Sequence, residues 1–190
     1  MPTLALTFDD GPDPRGTAPL LDVLGAAGAR ATFFPIASRA VAHPELIARM
    51  VVDGHRIGLH CHEHIRHSRR SIAWGRRDTA RALELLASLG VHPTLWRTPW
   101  GDTAAWSARV ARENRLAIIG WTVDTHDWRG DSAGEMLRAT REELRAGAIV
   151  LAHDGIGPGS RRTDARETIA YARMVTEYAI EGGLELGMVE

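Results

Sequence analysis

Lysine is absent from this 190-residue chain, so all 23 of its basic residues are arginine. That absence excludes enzymes that form a Schiff base through a lysine. It also excludes phosphate-binding loops that end in lysine followed by serine or threonine. A single cysteine, Cys61, rules out an intramolecular disulfide. No apolar run approaches the length of a membrane span. The strand-like segment at residues 3–8 is not preceded by a charged start and an apolar signal core, so a cytoplasmic location is expected. The net charge is −1, and the arginines are interspersed with Asp and Glu on predicted helices rather than gathered in one run. This is the pattern of a solvated helical surface, and nucleic acid is not an expected partner.

What is present is an ordinary globular composition, 44% hydrophobic and 25% charged, with enough length for one domain spanning residues 1–190. Short apolar segments rich in β-branched residues alternate with longer stretches in which alanine and leucine recur at helical spacing. This alternation predicts a parallel α/β architecture. Strands are expected near residues 4–8, 31–35, 56–59, 94–97, 117–121, 148–152 and 184–189. Helices are expected near 18–27, 38–52, 71–89, 103–114, 132–145 and 163–180. Gly25 and Gly28 mark the end of the first helix, Gly54 the second and Gly90 the third. Seven strands and six intervening helices suit a (β/α) barrel or an open sheet. The glycine-rich piece 155–159 reads as a loop after a strand rather than a domain boundary.

The polar residues fall in a telling place. Asp9 and Asp10 follow the first strand, His60 the third, Arg97 ends the fourth, Asp124 and Asp127 follow the fifth, and His153 the sixth. Parallel strands bring their carboxyl ends to one rim, so residues more than a hundred positions apart can converge on one pocket. His60 and His64 are four apart, and on a helix that spacing would put both imidazoles on one face, where a single metal could bridge them. The segment also holds His62 and His67, and a solvated histidine tract is the plain alternative. Two adjacent carboxylates at a strand end repel unless a positive group sits beside them, and a divalent cation is one such partner. Turn residues ahead of Gly11 and Pro12 are the competing reading, which accounts for one aspartate better than two.

Together these pieces resemble the polysaccharide deacetylase family, the NodB homology domain of carbohydrate esterase family 4, at five ordered places over nearly the whole chain. Thr7-Phe8-Asp9-Asp10-Gly11-Pro12 is similar to its first motif, and His60-Cys61-His62-Glu63-His64 to its second. Arg97-Thr98-Pro99-Trp100-Gly101 resembles the third, Asp124-Thr125-His126-Asp127-Trp128 the fourth, and Leu151-Ala152-His153 the fifth. The resemblance implies a distorted (β/α) barrel of about seven parallel strands. It implies a metal site of Asp10, His60 and His64, with Asp9 as catalytic base, Arg97 orienting it, and His153 as general acid partnered by Asp127. Pro99 and Trp100 would form a groove wall, the Trp100 N–H would face the developing oxyanion, and Trp128 would line the pocket. Two departures stand out: Cys61 where the family usually has Ser or Thr, and Trp100 where Tyr is commonest.

Three protein ligands leave positions open for water and a substrate carbonyl, as in catalytic rather than structural sites. The expected ion is zinc, with cobalt, nickel or manganese as alternatives. The expected reaction is removal of an N-acetyl or related acyl group from an amino sugar, a small molecule or an oligosaccharide. The alternatives are an amidase acting on a non-carbohydrate linear or cyclic amide, and a non-catalytic metal- or carbohydrate-binding module. The module's signature would be loss of Asp9 or His153, and both are present. His43, His55, His92 and Glu63 read as surface or loop residues, and Trp74, Trp96 and Trp106 as packing residues. Trp100, Trp121 and Trp128 are better placed to meet substrate, and His62, His67 and His126 are candidates for a supporting shell. Asp124, Arg129 and Asp154 could serve either the site or the loops.

Overall fold

A computed structural model describes residues 3–190. β1 (Leu4–Asp9) is the central strand, flanked by β2 (Thr32–Phe34) and β7 (Ile149–His153). β3 (Arg56–Ile57) extends the sheet beyond β2, β6 (Val123–Asp124) extends it beyond β7, and β8 (Leu186–Gly187) pairs with the start of β1. β4 (Leu95–Trp96) and β5 (Ala117–Ile118) form a second parallel pair, joined to the region after β3 by a bridge between Leu59 and Trp96. Among the described residues every pairing is parallel, and no ladder joins β5 to β6. The result is a distorted, incompletely closed (β/α) barrel.

Alternation along β1 explains its two faces, because successive side chains point to opposite sides of a strand. Leu4, Leu6 and Phe8 join the large outer core under the helices, while Ala5 packs in a small inner cluster with Phe34, Leu95 and Val189. Thr7 and Asp9 continue that inner row toward the rim. β7 follows the same rule: Val150 and Ala152 join the outer core, and Leu151 and His153 line the cavity at the barrel mouth. Parallel register then sets Asp9 directly beside His153.

The helices are α1 (Thr17–Ala26), α2 (Ala37–Ala42), α3 (Pro44–Val52), α4 (Ile72–Ala87), α5 (Ser107–Glu113), α6 (Ala133–Thr140) and α7 (Arg166–Glu181). The helix expected over 38–52 is in fact two. Pro44 cannot donate to the ladder and disfavours helical geometry at His43, whose φ/ψ of −134°/60° breaks the chain into α2 and α3. The strand expected over 117–121 is also divided. Ala117 and Ile118 pair only with β4, and the carbonyl of Gly120 turns instead to the Arg97 guanidinium, so the chain leaves one ladder before joining another at Val123. Gly54 has φ 78°, a left-handed conformation that lets the His55 N–H bond back to the Met50 carbonyl and end α3. No helix among the described residues is long and apolar enough to cross a membrane.

Candidate active site

The floor of the site is an ion pair sealed inside the barrel. Arg97, fully buried, donates from Nη1 to Asp9 Oδ1 at 3.0 Å and to Thr7 Oγ1 at 2.6 Å, and from Nη2 to the Gly120 carbonyl at 2.8 Å. Its guanidinium lies 4.3 Å over the Phe34 ring. Thr7 in turn donates to the Val150 carbonyl at 2.6 Å, which ties the arrangement to β7. The guanidinium thus pairs with the Asp9 carboxylate and fixes its orientation.

Above this floor Asp10, His60 and His64 converge, with one ligand atom from each lying within 4.8 Å of the others. Asp10 adopts φ 74°, an uncommon conformation for a residue with a side chain. Arg39 holds it there by donating to the Asp10 carbonyl at 2.8 Å. His60 Nδ1 meets the Arg97 carbonyl at 2.7 Å, a contact that makes Nδ1 the protonated nitrogen and leaves the Nε2 lone pair facing Asp10. His60 and His64 bring Nε2 to 3.4 and 3.2 Å from Asp10 Oδ1, yet that oxygen is buried and makes no well-formed hydrogen bond. An orphaned carboxylate oxygen between two imidazole nitrogens is a donor set that fits a divalent cation.

Without a cation, protons and charge balance the cluster. Burial alone would raise the Asp10 carboxyl, but the neighbouring His60 and His64 outweigh it and hold Asp10 well below the usual range. Burial would likewise lower His60, and the carboxylates of Asp10 and Asp9 reverse that.

The segment carrying the two histidines is not a helix, so helical spacing is not what pairs them. Cys61 forms a parallel bridge to Ile36, and the N–H groups of His62 and Glu63 donate to the Asp78 carboxylate at 3.1 and 2.7 Å. Asp78 sits on the buried stripe of α4 and braces the loop from beneath. His64 then packs edge-on against Trp100, 4.1 Å between ring centres. Cys61 is buried, burial pushes its thiol well up, and it lies outside the ligand cluster.

On β7, beside Asp9, His153 Nδ1 meets Asp127 Oδ1 at 2.7 Å, while Asp127 Oδ2 accepts from the His153 N–H at 3.0 Å and from Thr168 Oγ1 at 2.7 Å. Arg162 stands 3.5 Å from the same Oδ2 and donates to the carbonyls of His153 and Gly155. Burial on its own would lower His153, but the charge and hydrogen bond of Asp127 raise it to about 9. Asp127 is held below the usual range because His153, Arg162 and Thr168 together overcome its burial. With Nδ1 engaged, Nε2 is left as the nitrogen able to serve the cavity.

The cavity measures about 410 Å³ and is lined by Asp9, Asp10, His60, His64 and His153 together with Trp100, Trp121 and Trp128. Pro99, expected on the groove wall, is buried and does not line it; its carbonyl closes the turn by accepting the Asp102 N–H. Trp100 and Gly101 line the cavity from that turn; Trp100 has φ 56°, and its N–H takes no part in the turn's bonds.

Trp96 is buried and donates to the His60 carbonyl, and Trp106 stacks on His67. His67 is buried among these rings, burial lowers it to about 4, and it stays a packing residue outside the cavity. His55 is another buried histidine rather than a surface one: its Nδ1 accepts the Ala31 N–H and its ring packs on Phe33.

His62 and His126 do not line the cavity, and Arg129 lies over Trp128 outside it. Asp124 does line it, and its Oδ1 accepts the His126 N–H. Asp154 orders loops, accepting from the Gly11 N–H and the Thr17 hydroxyl.

Asp78, Arg39, Arg162 and Thr168 were not singled out from the sequence. Only Asp78 carried a signal there, as an acidic residue on an otherwise small and apolar helical stripe.

A carboxylate–histidine–histidine cluster gathered with a buried Asp–Arg pair and a carboxylate-backed histidine at the carboxyl rim of a (β/α) barrel fits a hydrolase site built for a metal ion. Residues 1–119 match the family model for polysaccharide deacetylase. Over 168 residues the chain is 38% identical to a chitooligosaccharide deacetylase of Bradyrhizobium sp., covering 84% of this chain and 75% of that one. It is 36% identical over 152 residues to a peptidoglycan-N-acetylglucosamine deacetylase of Listeria monocytogenes, covering 80% of this chain but 32% of that longer protein. The solved structure of a family 4 carbohydrate esterase from Streptomyces lividans in complex with acetate is similar throughout, with a TM-score of 0.89 at 28% identity over 100% of this chain and 93% of that one. The chain belongs to the polysaccharide deacetylase family, whose deacetylases hydrolyse carbon–nitrogen bonds other than peptide bonds.

Proposed function

We propose that the chain hydrolyses the acetamide of an N-acetylated amino sugar, releasing acetate and leaving a free amine. The observation that carries this reading is that Asp9 and His153, neighbours on paired strands, line one cavity with the Asp10–His60–His64 cluster. A divalent cation held by that cluster, zinc by the chemistry of its two imidazoles and one carboxylate, supplies Lewis acidity toward water and the acyl oxygen.

Asp9, aimed by Arg97, accepts the proton of the attacking water as its oxygen bonds to the acyl carbon. The carbonyl oxygen becomes an oxyanion, toward which the Trp100 N–H contributes a hydrogen bond. His153, protonated at neutral pH because Asp127 raises it to about 9, donates from Nε2 to the leaving nitrogen as the C–N bond breaks. Trp100, Trp121 and Trp128 offer flat apolar faces to the sugar ring.

The test is metal content of the purified protein paired with acetate release from N-acetylated sugars, with and without chelator. His60→Ala is expected to lose metal and turnover together, and His153→Ala to keep metal and lose turnover. Failure to bind zinc or cobalt, or full turnover in either variant, overturns the assignment. Metal binding with hydrolysis only of linear or cyclic non-sugar amides would move the substrate class while leaving the roles of Asp9 and His153 in place.

A further inference from the structure

The charges around the cavity are compensated, with two exceptions. Asp9 is paired with Arg97, and Asp127 is satisfied by His153, Thr168 and Arg162. Asp10 faces two imidazoles. The guanidiniums of Arg39, Arg97 and Arg162 are committed to carbonyls, hydroxyls or carboxylates. One exception is Asp124, whose Oδ1 takes only the His126 N–H and imidazole as neighbours. The other is Arg66. It lines the cavity, yet among the described residues its guanidinium makes no hydrogen bond or ion pair. Asp102 feels its charge, but spends Oδ2 on the Ser68 N–H.

Arg66 is nevertheless not loose. Its guanidinium lies 4.6 Å over the Trp100 ring, and Trp100 packs 4.1 Å from the metal-facing His64. Stacking restrains the planar fork without using any of its five donors, so little further ordering is needed to grip a planar anion. The two contacts in series place that fork about 9 Å or less from the His64 ring. An anion at that distance sits on the acetylated sugar or its immediate neighbour.

We propose that Arg66, braced on Trp100, is a specificity subsite for a carboxylate carried close to the scissile acetamide, so that the preferred substrate is an acidic amino-sugar oligomer rather than a neutral one. This rests on the deacetylase reading above. A guanidinium and a carboxylate pair through two parallel N–H···O bonds, and such charge-assisted contacts favour the acidic substrate by roughly ten- to a hundredfold. Because the pair forms at a half-open mouth, salt weakens the preference.

Three tetramers test this: neutral N-acetylglucosamine tetramer, the same tetramer with its primary alcohols oxidised to carboxylates, and one carrying lactyl-ether carboxylates on alternate sugars. Expected is a wild-type kcat/KM at least tenfold higher for one of the acidic tetramers, with the favoured one locating the carboxylate. That ratio should shrink in high salt, collapse toward one in Arg66→Gln, and take an intermediate value in Arg66→Lys, which keeps charge but loses the fork. Equal rates on all three, or a ratio that survives Arg66→Gln, overturn the subsite. If no tetramer releases acetate, the deacetylase reading fails separately, and calorimetric binding of the same tetramers to zinc-loaded protein decides the subsite. Preference for an acidic tetramer that Arg66→Gln abolishes supports it, and equal or absent binding overturns it.

Discussion

Replacing Asp127 with asparagine keeps the shape of the side chain and removes the charge that sustains His153 as an acid. In the native site His153 lies near 9, so at pH 7 the imidazolium outnumbers the neutral ring by about a hundred to one. Burial pulls the other way and is the largest influence on this residue. Without the carboxylate the ring is therefore expected at or below its ordinary 6.5, a loss of about 3 kcal/mol in the preference for the charged form. The side chain is only 18% exposed, so solvent screening softens this little. At pH 5.5 both proteins still hold nearly all of the acid form. At pH 8 wild type retains about nine-tenths and Asp127→Asn about three per cent or less. The ratio of variant to wild-type kcat/KM should thus fall about thirtyfold between pH 5.5 and pH 8. The assay is acetate release across that range, with an NMR titration of the His153 ring as a direct reading. A basic limb that stays near pH 9 in the variant would refute the reasoning.

Asp78→Ala leaves the His62 and Glu63 N–H groups without their carboxylate and loosens the loop that aims His60 and His64, so zinc affinity by competition with a chromophoric chelator should fall about ten- to a hundredfold. Arg97→Met strands the buried Asp9 carboxylate, and chemical denaturation at neutral pH should show a loss of about 3–5 kcal/mol. Asp154 behaves in the opposite sense. Burial raises it to about 7, so between pH 4 and 7 the folded chain binds more protons than the unfolded one, and stability falls as pH rises. Asp154→Asn keeps acceptor and donor capacity toward Gly11 and Thr17 and removes that penalty; it should melt higher than wild type at pH 8, by a few kcal/mol at most, and gain little at pH 4. Equal gains at both pH values would show that Asp154 is not protonated in the fold.

Much of the site was legible because short-range rules reach it. Alternation puts Asp9 on the inner face of β1, parallel strands share a carboxyl rim, and carboxylates and histidines stand at those ends. The glycine helix ends at Gly54 and Gly90 were legible for the same reason, since a left-handed terminus is a local demand. Local rules failed where a distant group intervened. Residues 117–121 look like one strand, yet Arg97, more than twenty positions away, takes the Gly120 carbonyl and divides them. His60 and His64 suggest a helical face, yet Asp78 on α4 and a bridge to Ile36 shape an irregular loop that brings the imidazoles together by another route. The break at Pro44 is itself local, a residue without an N–H inside the span 38–52.

The sequence alone therefore determined the fold class, the order of the motifs and the chemical types gathered at the barrel mouth, because periodicity and strand polarity are properties of neighbours along the chain. Only the tertiary structure decided which groups hold those residues in place. Asp78 beneath the ligand loop, Arg39 on Asp10, Arg162 and Thr168 on Asp127, and Arg66 free above Trp100 all act between segments far apart in sequence, where burial and distance govern charge and no local pattern records them.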